Sequence, residues 1–444
     1  MRGSKSLSLV GLLRGDTSGN VALLFCLIVV PLTLTAGSGI DYARATAIRS
    51  TLQSAVDSAA LAGASAYTSA SASAPARTMG SNYLTLGTNP LLSSVTLGTP
   101  TVVSGTQTSS GITTGYTITA TISASVPTTL MALFTPSMTV NATATAVRQA
   151  AGAGACILAL APSASGAITL SGNASFSAPS CDIAANSTST SALTISGGGS
   201  VSAHSAYLGG NYSGNATSLT LSQPAHINYS ALIADPYAGA FGQPTLPLSC
   251  AATNFQLNGN SNLTINPGRY CGGISKSSGG TLSLRPGTYY LDSGDFSVSG
   301  GSVVCTGCGS GLGITLVLTA TNPNNIGIIK ISGSSNVDLQ APGPSSGEPY
   351  PGIVIYQDPR IPTGSQDSIS GSATTQFTGV IYLPNTGLSL SGSSTMSTPP
   401  AGRACRVIIS RTLTLTGGTD VGDVTDCSLY GALTPGVSKV KLVQ

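Results

Sequence analysis

Residues 281–294 read TLSLRPGTYYLDSG, and residues 377–394 read FTGVIYLPNTGLSLSGSS. In both stretches apolar and polar residues alternate for a few positions and then meet Gly, Pro, Asn or Ser, which is the pattern of short β-strands separated by turns. Comparable segments recur about every 17 to 27 residues after Cys156, and helical periodicity is almost absent there. Because such recurrence is typical of a solenoid, residues 156–444 are predicted to form a right-handed parallel β-helix. A Greek-key β-sandwich is the alternative, although it would favour more regular hairpin turns.

The composition agrees with an exported, β-rich chain. Charged residues make up 7% of the 444 residues, far below the quarter that is usual in soluble proteins, and the formal net charge is only +3. The chain has 55 Gly and no Trp, so Ser, Thr, Asn and Gly must cover much of its surface. The sequence has no basic cluster of the kind that binds nucleic acid, and a nucleic-acid partner is not expected.

Eight cysteines fall in the predicted β-helix region. They are Cys156, Cys181, Cys250, Cys271, Cys305, Cys308, Cys405 and Cys427. An even number on one side of a membrane indicates disulfides in an oxidising compartment. Residues one coil apart in a parallel β-helix are separated by about 4.8 Å, which is within the Cα reach of a disulfide. Three sequential pairs are 25, 21 and 22 residues apart, so sequential pairing that joins neighbouring coils is favoured over scrambled pairing.

The remaining pair, Cys305 and Cys308, lies in the motif CTGC, which sequential pairing would close as a tight loop. A redox dithiol or half of a zinc site is the alternative. Zinc needs two further ligands, and His204 and His226 are the only histidines in the chain. A structural disulfide is therefore the preferred interpretation.

Clustered aspartates raise the question of calcium binding. Asp420, Asp423 and Asp426 recur every third residue, and Asp292 and Asp295 are similarly spaced. Carboxylate oxygens are ligands that calcium prefers, but no complete ligand loop can be recognised in the sequence. These aspartates are interpreted as solvated turn residues, and no metal or cofactor is predicted.

The N-terminal part of the chain has a different pattern. Residues 21–40 read VALLFCLIVVPLTLTAGSGI, an uncharged run that as a helix would cover about 30 Å, the thickness of a bilayer core. Arg2, Lys5 and Arg14 precede this predicted transmembrane helix, so residues 1–20 are predicted to be cytoplasmic and the part of the chain after the helix to be exported. A cleaved signal peptide is the alternative, but its apolar region would be unusually long.

A helical pattern continues over residues 41–74 on the exported side. Leu52 and Val56 lie with other apolar residues on one face, whereas Gln53 and Asp57 lie on a separate polar stripe. Two interpretations remain open, a stalk that packs on its own domain and a helix that packs against sister subunits.

The whole N-terminal stretch, RGDTSGNVALLFCLIVVPLTLTAGSGIDYARATAIRSTLQSAVDSAALAGASAY at residues 14–67, resembles the N-terminus of TadG-like Flp pilus-assembly proteins. The matching positions include Gly19, Asn20, Pro31, Asp41, Tyr42, Leu52, Gln53 and Asp57. The resemblance implies a single-pass inner-membrane protein with its bulk in the periplasm or at the cell surface. Its implied partners are pilus-assembly or pseudopilin proteins. Related pseudopilins carry a Glu five residues after a cleaved Gly, a pattern that this chain lacks, so peptidase processing is not expected.

Residues 75–149 read as short alternating strands, with the stretch TTLMALFTP as a crossover between two of them. One helix followed by an antiparallel sheet is a pilin-like α+β layout. Residues 150–155, AAGAGA, are predicted to be the linker to the β-helix.

Together these observations predict a membrane-anchored structural component of Tad/Flp pilus assembly and not an enzyme. An adhesive role, self-association and binding of surface glycans are compatible with this prediction. The alternative is a membrane-tethered carbohydrate-active β-helix enzyme, and a pure adhesin unconnected to pili is a third hypothesis. Glycoside hydrolysis needs paired carboxylates, and the chain has one Glu, Glu348, and scattered Asp, so no catalytic residue is assigned.

Overall fold

The computed structural model describes residues 19–67, 73–84, 90–109, 112–151, 154–230, 232–309, 311–399, 405–422, 427, 430–433 and 435–443. It divides into two compact units. The first, here called the helical unit, comprises residues 1–107, 115–148 and 440–444. The second, the strand stack, comprises residues 108–114 and 149–439. The strands far outnumber the helices among the described residues, which confirms the mainly β class.

In the described residues of the helical unit there are two α-helices, α1 (Gly19–Ala66) and α2 (Ser73–Tyr83). Leu52 and Val56, predicted to share one apolar face of α1, are fully buried. The predicted transmembrane helix at residues 21–40 forms the first part of α1. No helix in the described part of the chain, however, is both long and apolar enough to span a membrane.

A five-stranded sheet completes the helical unit. Its strands are β1 (Thr96–Leu97), β2 (Thr101–Ser109), β3 (Ile112–Pro127), β4 (Ser137–Ala151) and β30 (Val437–Val443). The strand order is β1-β3-β4-β30, with β2 also paired to β3. Alternate residues of β3 and β4 are buried in one cluster with the apolar face of α1, because successive side chains of a strand point to opposite faces.

The presence of β30 in this sheet differs from the predicted domain boundary, which assigned all of residues 156–444 to the β-helix. The chain leaves the sheet after β4, forms the strand stack, and returns as β30 beside β4. The strand stack is therefore an insertion between two neighbouring strands of the helical unit.

Twenty-five strands of the strand stack lie in the described part of the chain. They are β5 (Ala155–Ala159), β6 (Ile168–Leu170), β7 (Ser175–Ala178), β8 (Asp182–Ala185), β9 (Leu193–Ile195), β10 (Ser200–Ala203), β11 (Ala206–Leu208), β12 (Tyr212–Ser213), β13 (Leu219–Leu221), β14 (Cys250–Leu257), β15 (Leu263–Ile265), β16 (Gly268–Lys276), β17 (Thr281–Leu284), β18 (Gly287–Asp292), β19 (Phe296–Val298), β20 (Ser302–Cys305), β21 (Ile314–Thr319), β22 (Ile329–Ile331), β23 (Asn336–Gln340), β24 (Ile353–Gln357), β25 (Gln366–Ile369), β26 (Thr374–Leu390), β27 (Thr395–Met396), β28 (Arg406–Leu415) and β29 (Asp420–Val421).

These strands form three parallel ladders, and the long strands contribute to more than one. Ladder 1 runs β14-β16-β18-β21-β24-β26-β28-β5-β8-β11. Ladder 2 runs β14-β16-β19-β22-β25-β26-β28-β6-β9-β12. Ladder 3 runs β15-β17-β20-β23-β26-β27-β29-β7-β10-β13. All of these pairings are parallel, whereas the Greek-key alternative would require antiparallel ones.

The order of the rungs is not the order of the chain. The strands nearest the N-terminus of the stack, β5 to β7, pair with β28 and β29 near its C-terminus. The chain therefore enters and leaves the stack at adjacent rungs, as an insertion between neighbouring strands requires. One long connection, residues 222–230 and 232–249, must then lead from the rung at one end to the rung at the other, and we call it the strap.

The strap packs on the outer surface of ladder 1. The Asn186 side chain exchanges two hydrogen bonds of 2.9 Å with the backbone of Ile233. Tyr382 donates to Asp235 at 2.9 Å and lies edge-on to Tyr237, with ring centroids 5.3 Å apart. Because ladder 1 is covered on both faces, several of its strands are buried at every position, whereas strands of the other ladders alternate.

A column of stacked glycines marks the corner between ladders 2 and 3. It contains Gly333, Gly371, Gly392, Gly417, Gly172 and Gly197, all with φ between +68° and +79°. A Cβ on Gly172 would lie 2.8 Å from the backbone oxygen of Gly417. Only glycine combines this left-handed backbone with such a close approach between neighbouring rungs.

Candidate functional site: the Asp41 clamp of the helical unit

Asp41 lies on α1 directly after the predicted transmembrane run and is 3% exposed. Its carboxylate accepts hydrogen bonds from the Thr129 hydroxyl at 2.6 Å and from the backbone N–H groups of Thr129, Leu130 and Met131 at 3.0, 3.0 and 2.9 Å. These N–H groups precede and begin a short 3₁₀ turn, Met131–Leu133, where backbone donors have no partner within the turn. We call this set of contacts the Asp41 clamp.

The hydrogen bonds of the clamp favour the ionised carboxylate. The Thr129 hydroxyl is the largest cause, followed by the N–H groups of Met131 and Thr129, and together they lower the pKa of Asp41 to about 2 although burial opposes them. A carboxylate that already accepts four hydrogen bonds is poorly suited to act as a base. Its arrangement instead fixes the β3–β4 connection, predicted as a crossover, against α1.

Gly37, one turn earlier on α1, allows this close approach. A Cβ at this position would lie 2.5 Å from the Leu130 Cβ and 2.7 Å from its Cδ1. The sequence alone does not single out Gly37, because its role depends on Leu130, which is far away along the chain.

Three further family positions connect α1 to the sheet. Leu52 is fully buried. Gln53 donates to Asp57 Oδ1 at 2.9 Å and to the backbone oxygen of Thr143 in β4 at 3.0 Å. The predicted polar stripe of α1 is thus used partly within its own unit, which agrees with the interpretation of a helix that packs on its own domain.

The other family positions make fewer contacts. Gly19 and Asn20 begin α1, and Pro31 lies inside it. Tyr42 is 63% exposed. Large apolar side chains of the first half of α1 are also uncovered in this chain, namely Phe25, Leu27, Ile28, Leu32 and Ile40, with exposed fractions of 60–65%.

The four sequential disulfides expected from the cysteine spacing are present. The pairs and their Cα separations are Cys156–Cys181 at 5.8 Å, Cys250–Cys271 at 5.8 Å, Cys305–Cys308 at 5.7 Å and Cys405–Cys427 at 4.6 Å. The first two pairs join strands or strand ends of adjacent rungs of ladder 1. The CTGC motif is a disulfide in this structure, and it borders a cavity of about 270 Å³.

The aspartates considered for calcium do not converge. Asp292 Oδ2 pairs with Arg269 at 2.6 Å, whereas Asp295 Oδ2 pairs with Lys330 at 2.6 Å. Asp420 contacts Ser175. Asp423 and Asp426 lie outside the described residues. Across the described ranges, no three His, Cys, Asp or Glu side chains are grouped so that they could hold a metal ion.

The histidines and Glu348 also have neighbours of their own. His204 Nδ1 lies 2.8 Å from Asp182 Oδ1. His226 stacks on Tyr207 with ring centroids 4.5 Å apart. Glu348 accepts a hydrogen bond from the Thr288 hydroxyl at 2.6 Å.

One buried polar network in the stack was missed by sequence reasoning. Asp367 is fully buried and accepts from the Ile329 N–H at 2.6 Å. The Thr386 hydroxyl oxygen lies 2.5 Å from both Asp367 Oδ2 and Gln357 Oε1. The Thr386 hydroxyl has one proton, so it can donate in only one of these two contacts. In the other contact its oxygen must accept a hydrogen bond, and a protonated Asp367 carboxyl can donate it. Burial, opposed by these hydrogen bonds, raises the pKa of Asp367 to about 6.

Comparison with known proteins gives a family match in the N-terminal part of the chain. Residues 19–66 match the family model described as putative Flp pilus-assembly TadE/G-like. This range coincides with α1 and includes the acidic residue of the Asp41 clamp. No curated protein and no solved structure gives a significant match. The family match supports a pilus-associated role for the chain.

Proposed function

We propose, because residues 19–66 match the TadE/G-like Flp pilus-assembly family, that this chain is a membrane-anchored structural component of a Tad/Flp pilus-assembly apparatus. In this proposal α1 holds the protein in the inner membrane, and the strand stack is exported and faces the periplasm or the cell surface. The partners are the membrane and other proteins of the pilus machinery. The role is structural and not catalytic.

The Asp41 clamp supports the part of the proposal that concerns α1. The family-matching acidic residue holds the β3–β4 connection, and Gln53 binds β4, so α1 and the sheet are joined at two levels. A force or contact on the helix would therefore be transmitted to the sheet through hydrogen bonds and not only through apolar packing.

The exposed apolar side chains of α1 support membrane anchoring. Phe25, Ile28 and Leu32 are each at least 60% exposed in the isolated chain, and a bilayer would cover them. Replacing all three with Lys should release the protein from membranes during alkaline carbonate extraction, because a charge in the bilayer core is costly. Wild-type protein that is itself extracted by carbonate would contradict the anchor.

We also infer that the strand stack is a right-handed parallel β-helix. Its three parallel ladders and the glycine column at one corner support this architecture. An experimental density map at side-chain resolution would test the handedness, and a left-handed path of the chain would refute that part of the inference.

The main experiment asks whether the stack works in pilus assembly. Residues 152–436 are replaced at the native locus by a short Gly-Ser linker, so that β4 and β30 are retained and the helical unit keeps its sheet. We expect sheared surface pilin to fall while intracellular pilin remains at the wild-type level. Unchanged surface pilin would show that the stack has no role in assembly, and a gene deletion provides the reference for complete loss.

A further inference from the structure

A polar cleft opens at the corner between ladders 1 and 2. Residues 293–295 form a short turn at this corner between β18 and β19. In the next rung, residues 320–328 form a longer loop between β21 and β22, which makes an excursion from the corner. The excursion contains a 3₁₀ turn, Pro323–Asn325, which forms one wall of the cleft. The volume of the cleft is about 400 Å³, within the range of small-molecule sites.

Stacked backbone forms the floor of the cleft. A Cβ on Gly294 would lie 2.1 Å from the backbone carbon of Gly272, and one on Gly327 would lie 2.0 Å from the backbone oxygen of Gly294. Three successive rungs can approach this closely only because these positions have no side chain. The floor is therefore flat and presents backbone polar groups.

Two hydroxyl groups stand beside this floor with unused hydrogen-bonding capacity. Ser275 and Ser297 are half-buried and directly paired in the ladder register, so their side chains lie on the same outer row. Within the part of the chain that the structure describes, neither hydroxyl has a hydrogen-bond partner. The exposed Asn324 and Asn325 on the wall add amide groups, which both donate and accept.

Asp295 lines the cleft, and its charge is balanced by Lys330, a neighbouring residue outside the lining. Asp295 accepts from the Ile328 N–H at 2.9 Å through Oδ1 and pairs with Lys330 at 2.6 Å through Oδ2. Since the ammonium group neutralises the carboxylate, the cleft favours neither anions nor cations. Each carboxylate oxygen can still accept one more hydrogen bond.

We propose that this cleft binds a neutral saccharide. A sugar hydroxyl donates and accepts at once, as the Ser and Asn groups of the cleft do, and it carries no charge to be rejected. The flat glycine floor leaves room for a ring, and the volume fits a mono- or disaccharide. This site goes beyond the proposed role in pilus assembly and does not depend on it, because binding is measured on purified protein and assembly on cells.

The test uses the purified full-length protein in a detergent without a sugar headgroup and measures binding by saturation-transfer NMR. The probes are cellobiose, maltose and N,N′-diacetylchitobiose, with glucose 6-phosphate and glucosamine as charged sugars. The double variant Ser275→Ala with Ser297→Ala should weaken binding of the neutral disaccharide about tenfold, the loss expected for two hydrogen bonds. The matched control is Ser368→Ala with Ser389→Ala, which removes hydroxyls from the same outer row outside the cleft.

Binding of at least one neutral disaccharide that weakens in the cleft variant, and not in the control variant, would support the site. The proposal is overturned if no neutral disaccharide binds, if a charged sugar binds more tightly, or if both double variants weaken binding equally. Thermal unfolding of the two variants verifies that both are folded.

Discussion

The helical unit and the strand stack are held together in two different ways. The helical unit joins α1 to its sheet through a few specific side chains, above all Asp41, which binds three consecutive backbone positions. The strand stack repeats one arrangement of three ladders from rung to rung. A glycine column lies at the corner between ladders 2 and 3, and disulfides join neighbouring rungs. We therefore expect a substitution in the strand stack to destabilise several rungs together. A substitution in the Asp41 clamp should affect only the β3–β4 connection.

The largest effect is expected at the glycine column. In Gly172→Ala the new methyl group would meet the backbone of Gly417 at 2.8 Å, at a φ of +72° that disfavours a side chain. Strain and overpacking together should cost about 3–5 kcal/mol of unfolding free energy. Chemical denaturation monitored by circular dichroism measures this cost.

Gly239→Ala is the matched control for this substitution. Gly239 has a φ of +71°, but a Cβ there would meet nothing within 4 Å. It should cost only about 1 kcal/mol, the strain of the backbone alone. Equal destabilisation by the two variants would show that the close approach between rungs contributes nothing.

The inter-rung disulfides should have the next largest effect. Replacing Cys156 and Cys181 with Ser removes a link between residues 25 apart, which should cost about 3.5 kcal/mol in the chain-entropy account. Replacing Cys305 and Cys308 removes a link between residues 3 apart and should cost only about 2 kcal/mol. If denaturation midpoints fall more for the second variant, loop closure does not explain how these disulfides stabilise the stack.

The next prediction concerns Asp367, a single buried ionisable group in the strand stack. Its pKa is raised from 3.8 to about 6, so the folded protein binds more protons than the unfolded chain between these values. The stability contributed by this group is therefore fully present below about pH 4 and is lost as the pH rises to about 6, by about 2–3 kcal/mol.

The variant Asp367→Asn should remove this part of the pH dependence, because Asn keeps a similar shape and is neutral at all pH values. Unfolding free energies of both proteins at pH 4, 5, 6 and 7 are the measurement. If the unfolding free energy of wild type rises from pH 4 to 6, or if the variant has the same slope as wild type, Asp367 is not protonated in the folded protein.

The strand-rich character and the cysteine pairs of the strand stack could be predicted from the sequence. Apolar alternation predicted a strand-rich region, and cysteine spacing predicted all four pairs. A further signal was present and not used, a turn motif that recurs at every glycine of the column. It reads ISGSS at 331–335, ISGSA at 369–373, LSGSS at 390–394, LTGGT at 415–419, LSGNA at 170–174 and ISGGG at 195–199.

The rest could not be read from the sequence for physical reasons. Any rung can stack on any other, because all of them present the same backbone groups, so the pairing of β28 with β5 has no sequence signal. The strand VSKVKLV at 437–443 alternates like the strands of the stack, although it joins the other sheet. The partners of Asp41 are mostly backbone N–H groups about 90 residues away, and a backbone group is the same in every sequence.

The smallest effect on global stability is expected at the Asp41 clamp, because it holds one connection of the helical unit. In Asp41→Asn the amide group can no longer accept from all of the N–H groups of Thr129, Leu130 and Met131, so these amides should exchange with solvent faster while the amides of β3 and β4 keep their protection. Asp57→Asn serves as the comparison, since Asp57, another acidic residue of α1, accepts a hydrogen bond from Gln53 of the same helix. Because the pKa of Asp41 is lowered to about 2, wild type should keep the clamp down to about pH 4 and lose it as the pH falls towards 2. Hydrogen exchange measured by mass spectrometry at pH 7 and at low pH tests both effects. If Asp41→Asn loses protection throughout the sheet, the clamp supports the whole helical unit, and the contrast with the strand stack is wrong.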